Sequence, residues 1–183
     1  MITPRQQTPS LSLPLVGGDH FDLSMETPNF ATLVVAYRGL HCPICASYLA
    51  ELDRMTPDFV ASGVTTLAVS MDGQEKAQAM ADKIEAQHLR IAYDLLVEAA
   101  RNWGLYISLT IREAEPAVFS EPGIFLVKPD QTLFYLSVQT MPFARPQPSD
   151  ILGAVNFAIK ANYPARGDYV ADLQYDNCAK DLT

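Results

Sequence analysis

Two short apolar runs that are rich in β-branched residues predict two buried strands. Residues 32–37 read Thr-Leu-Val-Val-Ala-Tyr, and Val64–Val69 read Val-Thr-Thr-Leu-Ala-Val. Both runs are too short for a helix of their own, and apolar side chains occupy neighbouring positions in each, which is typical of strands covered on both faces. The pattern therefore predicts a sheet with packing on both sides.

After the first run the hydrophobic period changes from that of a strand to that of a helix. Leu49, Leu52 and Met55 recur three residues apart with charged residues between them, as on an amphipathic helix. Because proline lacks the backbone N–H that a helix interior needs, we expect this helix to end before Pro57. The sequence thus predicts a strand followed directly by a helix.

Further helices and hairpins complete the predicted order of elements. Helices are expected at about 74–87, with Asp72 as the N-cap, at 95–104 and at 150–161. Alternating leucines and a Gly-Gly turn predict a hairpin near the N-terminus.

A second hairpin is predicted near the end of the sheet. Its strands are expected at 124–127 and 133–138, and the turn between them is Pro129-Asp130-Gln131. Strands that alternate with helices and close with a hairpin and a helix predict an α/β sandwich, in which a central mixed sheet is flanked by helices.

Length and composition indicate one domain. The chain has 183 residues, of which 49% are apolar and 19% charged, as in an ordinary globular protein. Residues 1–10 are expected to form an N-terminal arm, and residues 163–183 a polar C-terminal tail.

The charge of the chain excludes some classes of partner. The formal net charge is −8, and no run of Lys or Arg is present, so neither nucleic acid nor an anionic membrane is expected as a partner.

The first residues lack the apolar core of a signal peptide, and no stretch approaches the roughly 20 apolar residues of a membrane span. These features predict a cytoplasmic protein.

Cys42 and Cys45 lie where the first strand gives way to the first helix. Cys42 falls at or beside the N-cap, and Pro43 follows at the first helical position, where a missing N–H costs nothing. Unpaired N–H groups and the helix dipole stabilise an anion at the cap. The pKa of Cys42 should therefore lie below the ~8.5 of a free cysteine. Residues three apart share a helix face, so the two sulfurs can also form a disulfide.

Two neighbours of the cysteine pair carry or can carry positive charge. His41 either tunes Cys42 or is a loop histidine with no role. Arg38 follows a buried strand directly and therefore needs a partner, which can be a thiolate, a peroxide oxygen or a structural carboxylate.

A zinc site is the alternative interpretation of the cysteine pair. Zinc requires two further ligands, and the only other candidates are Cys178 and the histidines at positions 20, 41 and 88. The strand-to-helix setting favours redox chemistry over zinc, and both over two inert core cysteines. We expect Cys178 to be a spectator.

Together these residues resemble the peroxiredoxins of the thioredoxin fold, and in particular the branch of the alkyl hydroperoxide reductase and thiol-specific antioxidant group that carries Cys-x-x-Cys. The resemblance covers roughly residues 10–165. It rests on aromatic-Arg-Gly-x-x-Cys-Pro-x-Cys at 37–45, on Ser-x-Asp at 70–72, on the segment 93–105, and on a strand-introducing proline, Pro122.

The resemblance implies a thioredoxin-like sandwich with an N-terminal hairpin, and it gives roles to further residues. Tyr37 matches the aromatic residue of the family motif, and Pro122 matches a proline that is cis in thioredoxins. Arg145 falls where many peroxiredoxins place an arginine near the active site.

The departures from the family pattern leave the attacking cysteine open. Matching Tyr37 to the family aromatic puts Cys45 at the peroxidatic position, Cys42 at the usual Thr or Ser, and Arg38 at the usual proline. The arginine expected before the third main strand is missing, because residues 121–122 are Glu-Pro. In the thioredoxin register Cys42 attacks and Cys45 resolves, and we prefer this register because the cap position is closest to the unpaired N–H groups.

The resulting hypothesis is a thiol-dependent oxidoreductase. The thiolate of Cys42 attacks a hydroperoxide or a disulfide, Cys45 resolves the product into a disulfide, and a cellular dithiol such as a thioredoxin-type protein reduces that disulfide. No metal or other cofactor is required, and family members often form homodimers. The alternative is a thioredoxin-fold binding or regulatory protein whose cysteine pair holds zinc or senses redox state without turnover.

Overall fold

The computed structural model describes residues 2–171, which contain nine strands, four α-helices and a short 3-10 helix at Leu23–Met25. The strands are β1 (Ser12–Pro14), β2 (His20–Asp22), β3 (Ala31–Ala36), β4 (Val64–Val69), β5 (Arg90–Ala92), β6 (Ile107–Leu109), β7 (Val118–Ser120), β8 (Gly123–Val127) and β9 (Leu133–Val138). The helices are α1 (Pro43–Ala61), α2 (Gln74–Lys83), α3 (Val97–Asn102) and α4 (Pro148–Ala161).

Five strands form the central sheet in the order β5-β4-β3-β8-β9. The strand β3 pairs in parallel with β4 and antiparallel with β8, so the sheet is mixed. Leu33 and Val35 pack with α1 and α4 on one face, whereas Val34 and Ala36 pack with the β1–β2 hairpin and α3 on the other. The α/β sandwich predicted from the sequence, with its N-terminal hairpin, is confirmed.

The first helix is longer than predicted. The helix α1 continues through Pro57 to Ala61, so the expectation that it ends before Pro57 is wrong. A proline in a helix interior leaves the carbonyl of the residue four positions earlier, here Asp53, without its intrahelical donor. The last turn is held instead by packing, since Phe59 is fully buried in the core and burial of an apolar face outweighs local propensity.

The second helix is shorter than predicted and has a different cap. The helix α2 ends at Lys83 rather than near residue 87, and its N-cap is Gly73, which makes no side-chain capping bond. The predicted cap at Asp72 is wrong, because the Asp72 carboxylate accepts a hydrogen bond from the backbone N–H of Leu40 instead.

The segment after α2 is tied to α1 by one buried carboxylate. Asp53 Oδ1 accepts backbone hydrogen bonds from Gln87, His88 and Leu89 at 3.0, 2.8 and 2.8 Å, and Asp53 is only 5% exposed. Three N–H groups converging on one charged oxygen would all lose their partner together if the carboxylate were removed.

We expect Asp53→Ala to lower the free energy of unfolding by about 3 kcal/mol, because it leaves these N–H groups unsatisfied. Urea denaturation followed by circular dichroism measures the change. Asp53→Asn keeps an acceptor oxygen and is the matched control, with a smaller expected loss. A change below about 0.5 kcal/mol for Asp53→Ala, the size typical of an ordinary surface substitution, would show that this anchor contributes nothing.

None of the described helices is long and apolar enough to cross a bilayer. Cys178 and most of the predicted tail lie outside the described residues.

Candidate active site

The cysteine pair lies at the junction of β3 and α1, where the sequence pattern placed it. Cys42 is the N-cap of α1 with an extended backbone, and Pro43 is the first helical residue. The backbone N–H of Cys45 donates to the Cys42 sulfur at 3.3 Å. The predicted cap position of Cys42 is therefore confirmed, and the thiol takes the place of the oxygen of an ordinary capping side chain.

Both cysteines are reduced and buried. Cys42 is 3% exposed and Cys45 is fully buried, and no disulfide joins them. Pro43 and Ile44 between them are exposed at the surface. The two cysteines are therefore shielded from solvent, whereas the two residues between them face it.

The two thiols are electrostatically unequal. The pKa of Cys42 is lowered from 9.0 to about 6, first by a hydrogen bond from the Cys45 thiol and then, against the cost of burial, by the Cys45 N–H and by Arg38 and Arg145. The pKa of Cys45 is raised by its donation to Cys42, by burial and by the negative charge on Cys42. Because Arg145 lowers the pKa of both thiols, the hydrogen bonds decide between them, and they favour the thiolate at Cys42.

Arg145 packs against the first two turns of α1, where the resemblance placed it near the active site. Its Nη1 lies 3.9 Å from the Cys45 sulfur, and its Nη2 donates to the Ile44 carbonyl at 3.1 Å. The guanidinium carbon stands 3.9 Å from the ring centroid of Tyr48, and the Tyr48 hydroxyl donates to the Pro146 carbonyl at 3.0 Å. These contacts hold Arg145 in place with its charge beside the two cysteines, and only 8% of the residue is exposed.

Tyr48 is a site residue that was not predicted from the sequence. The signal was present, because Tyr48 follows Cys45 by three residues and so shares its helix face. What the sequence did not show was the contact between this ring and Arg145.

Arg38 pairs with two carboxylates. Its Nη2 lies 3.2 Å from Glu115 Oε1 and its Nε 3.5 Å from Glu121 Oε2, and its guanidinium carbon is 4.5 Å from the Phe119 ring centroid. Of the partners considered for Arg38, the structural carboxylate is the one observed. Glu121, which stands in the region of the missing family arginine, is therefore half of an ion pair.

His41 contacts the same aromatic ring. Its ring lies 4.8 Å from that of Phe119, and neither ring nitrogen has a hydrogen-bond partner among the described residues. Burial and the neighbouring Arg38 charge lower the pKa of His41. A neutral imidazole adds no positive charge at Cys42, which favours the interpretation of His41 as a loop histidine.

Tyr37 and Pro122, the other two residues that the resemblance pointed to, lie in different surroundings. Tyr37 is fully buried in the core cluster that contains both cysteines, and burial raises the pKa of its hydroxyl, so it is neutral. Pro122 precedes β8 and its carbonyl accepts from the Gln139 N–H at 3.0 Å. All peptide bonds described are trans, so Pro122 lacks the cis bond of the thioredoxin proline that it resembles, and of the two interpretations the ordinary proline is the one observed.

Within residues 2–171 no three His, Cys, Asp or Glu side chains come together in a group that could hold a metal ion. The histidines considered as zinc ligands lie in different parts of the fold. His41 packs against Phe119, and His20 lies in the β1–β2 hairpin, where it is hydrogen-bonded to Ser12. Cys178, the fourth candidate, lies outside the described residues.

The chain matches a known protein family and is similar in fold to solved structures. The model of the AhpC/TSA family matches residues 4–136, and no curated protein matches the chain. Solved structures similar to it include peroxiredoxins, at low sequence identity. Peroxidoxin BcpB from Mycobacterium tuberculosis is 16% identical with a TM-score of 0.69, covering 87% of this chain and 99% of its own.

Two other solved structures agree with this likeness. A cysteine-to-serine mutant of peroxiredoxin 6 from Arenicola marina is 16% identical with a TM-score of 0.74, covering 96% of this chain and 81% of its own. Reduced Prx3 from Vibrio vulnificus in complex with hydrogen peroxide is 17% identical with a TM-score of 0.70, covering 85% of this chain and 99% of its own. At these identities the likeness establishes the fold.

Proposed function

The chain belongs to the AhpC/TSA family of thiol-dependent oxidoreductases, and we propose that Cys42 is the attacking thiol and Cys45 the resolving thiol of its peroxidase cycle. The observation that carries the proposal is the hydrogen-bonding of the Cys42 sulfur. It caps α1, accepts the Cys45 N–H at 3.3 Å, and has a pKa lowered to about 6. A thiol whose pKa lies below 7 is mostly thiolate at pH 7, against about 3% for a free cysteine.

The proposed reaction has two steps. The Cys42 thiolate attacks the terminal oxygen of a hydroperoxide and the O–O bond breaks, which gives a sulfenic acid on Cys42. The leaving oxygen takes a proton from solvent and departs as an alcohol or as water. The Cys45 sulfur then attacks the Cys42 sulfur, water leaves, and a Cys42–Cys45 disulfide forms. The two thiols supply the two electrons that reduce the peroxide.

The positions of Cys45 and Arg145 suit this sequence of steps. The Cys45 thiol has a raised pKa while Cys42 is a thiolate, so it stays protonated during the attack and becomes more acidic once the Cys42 charge is gone. Arg145 lies 3.9 Å from the Cys45 sulfur, where its charge favours the thiolate that must form for resolution.

Burial of the pair favours a hydroperoxide over a protein disulfide as the first substrate. With Cys42 only 3% exposed, a small peroxide needs less opening of the first turn than a folded protein would. The disulfide product would then be reduced by an external dithiol, such as a thioredoxin-type protein, in a reducing compartment such as the cytoplasm. A homodimer is compatible with this cycle.

The pH dependence of the reaction with hydrogen peroxide tests the assignment. Because the pKa of Cys42 is lowered to about 6, the rate of Cys42 oxidation should rise with pH up to about 7 and then become constant. Stopped-flow tryptophan fluorescence or quenched samples analysed by mass provide the rates. Free cysteine at the same concentrations is the control, and its rate should continue to rise beyond pH 8. A rate for the protein that follows the control would contradict a thiolate stabilised at Cys42.

A further inference from the structure

The loop that presents Cys42 is held by a carboxylate from the neighbouring strand connection. Asp72 follows β4 and is 6% exposed, and its Oδ2 accepts the Leu40 N–H at 2.7 Å. We propose that Asp72 is a positioning residue for Cys42, acting through the Gly39–Leu40 backbone to fix the cap. The inference rests on the proposed role of Cys42 as the attacking thiol.

Gly39 is shaped to receive this carboxylate. Its φ is +131°, and a Cβ added there would lie 2.7 Å from Asp72 Oδ2, so only glycine lets the loop backbone approach the carboxylate this closely. The Gly39 carbonyl in turn accepts the Cys42 N–H at 3.1 Å. The contact with Asp72 and the turn that ends at Cys42 therefore share one residue.

Asp72 itself is anchored to the sheet. Its backbone N–H lies 3.3 Å from the Ser70 hydroxyl oxygen, and Ser70 is fully buried. Its carbonyl accepts the Asp94 N–H at 2.9 Å. The carboxylate is thus fixed to the carboxyl end of β4, next to the strand that leads into the cysteine loop.

The buried charge on Asp72 has no cation partner within 4.0 Å among the described residues. A buried carboxylate without such a partner lowers the stability of the fold. The benefit that offsets this loss is the hydrogen bond that the carboxylate accepts from the Leu40 N–H. Its negative charge adds to the burial that raises the pKa of Tyr37 and opposes the burial that lowers the pKa of His41. The charged groups that lower the pKa of Cys42 are Arg38 and Arg145, whereas Cys45 acts on it through hydrogen bonds. The benefit proposed here is the hydrogen bond, not the charge.

Two substitutions separate the hydrogen bond from the charge. Asp72→Ala removes both, whereas Asp72→Asn removes the charge and keeps an oxygen that can accept the Leu40 N–H. We expect Asp72→Ala to raise the pKa of Cys42 by about one unit, which at a pH below both values slows its alkylation about tenfold. Asp72→Asn should restore the rate to within about threefold of the native protein.

The readout is the alkylation of reduced protein by iodoacetamide across pH 5 to 9. Tandem mass spectrometry of the tryptic peptide from Gly39 to Arg54 locates the modified sulfur at Cys42 or Cys45. This reaction needs no peroxide, so a failure of the positioning role is distinguishable from a failure of the peroxidase assignment. Gly39→Ala is a second variant, expected to shift the pKa in the same direction as Asp72→Ala because its Cβ displaces the carboxylate.

The inference is overturned if folded Asp72→Ala keeps the native pH profile, or if Asp72→Asn is as impaired as Asp72→Ala. If Asp72→Ala does not fold, Gly39→Ala and Asp72→Asn decide, and a native pH profile in Gly39→Ala overturns the inference. Thermal unfolding of each variant separates a local effect on Cys42 from a general loss of structure.

Discussion

Replacing Cys42 with serine is expected to reduce peroxide turnover by at least about 10³-fold, because the hydroxyl of serine is not ionised at neutral pH and cannot take the place of the thiolate. The serine hydroxyl can still cap α1, so the fold should be retained. Consumption of hydrogen peroxide with a dithiol reductant measures the loss. Cys178→Ser, which removes the cysteine outside the pair, is the matched control and should keep the native rate.

The outcome that contradicts this expectation is a Cys42→Ser protein with full activity. Cys45 would then be the attacking thiol, in the register that the usual peroxiredoxin motif implies, and the position of Arg145 at 3.9 Å from the Cys45 sulfur would be its main electrostatic support.

Replacing Cys45 with serine is expected to abolish turnover while leaving the first step intact. The attacking thiolate of Cys42 would still be oxidised, but no second thiol would be present to form the disulfide, so the sulfenic acid should accumulate. The serine hydroxyl keeps the donor that lowers the pKa of Cys42. Dimedone labelling after one equivalent of hydrogen peroxide should therefore give about one adduct per chain, located at Cys42.

The native protein is the control for this experiment and should give little adduct, because its sulfenic acid is consumed by Cys45. If Cys45→Ser retains multiple turnovers with the same reductant, Cys45 is not the resolving thiol, and the reductant acts directly on Cys42.

The central sheet and the cysteine junction could be predicted because their signals are local. The runs that became β3 and β4 are short, mostly apolar and rich in β-branched residues, which is typical of a strand covered on both faces. Cys42 precedes a proline and an amphipathic period, so the sequence could place it at or beside the N-cap of α1, and it is the N-cap.

Other parts of the site depend on contacts between distant segments. The β6–β7 hairpin was not predicted, and it supplies Glu115 to Arg38 across 77 positions of sequence. Asp72 has the sequence context of a helix cap, but its carboxylate turns toward Leu40 in a different loop. A sequence shows that Arg38 needs a partner, but the choice of partner follows from how the strands pair.

The continuation of α1 past Pro57 has the same origin. Local propensity favours an end of the helix before Pro57. The burial of Phe59 in the core stabilises one further turn of helix beyond the proline. The helix boundary was therefore set by the core and not by the segment itself.

The rate at which the fully reduced protein forms the Cys42–Cys45 disulfide after one equivalent of hydrogen peroxide tests the central claim most directly. Intact mass and thiol counting follow the loss of two thiols per chain, with free cysteine as the reference. A rate far above that of the reference, with the disulfide located between Cys42 and Cys45, is the result that the proposed cycle predicts. A rate no faster than the reference would contradict a peroxidatic role for this cysteine pair.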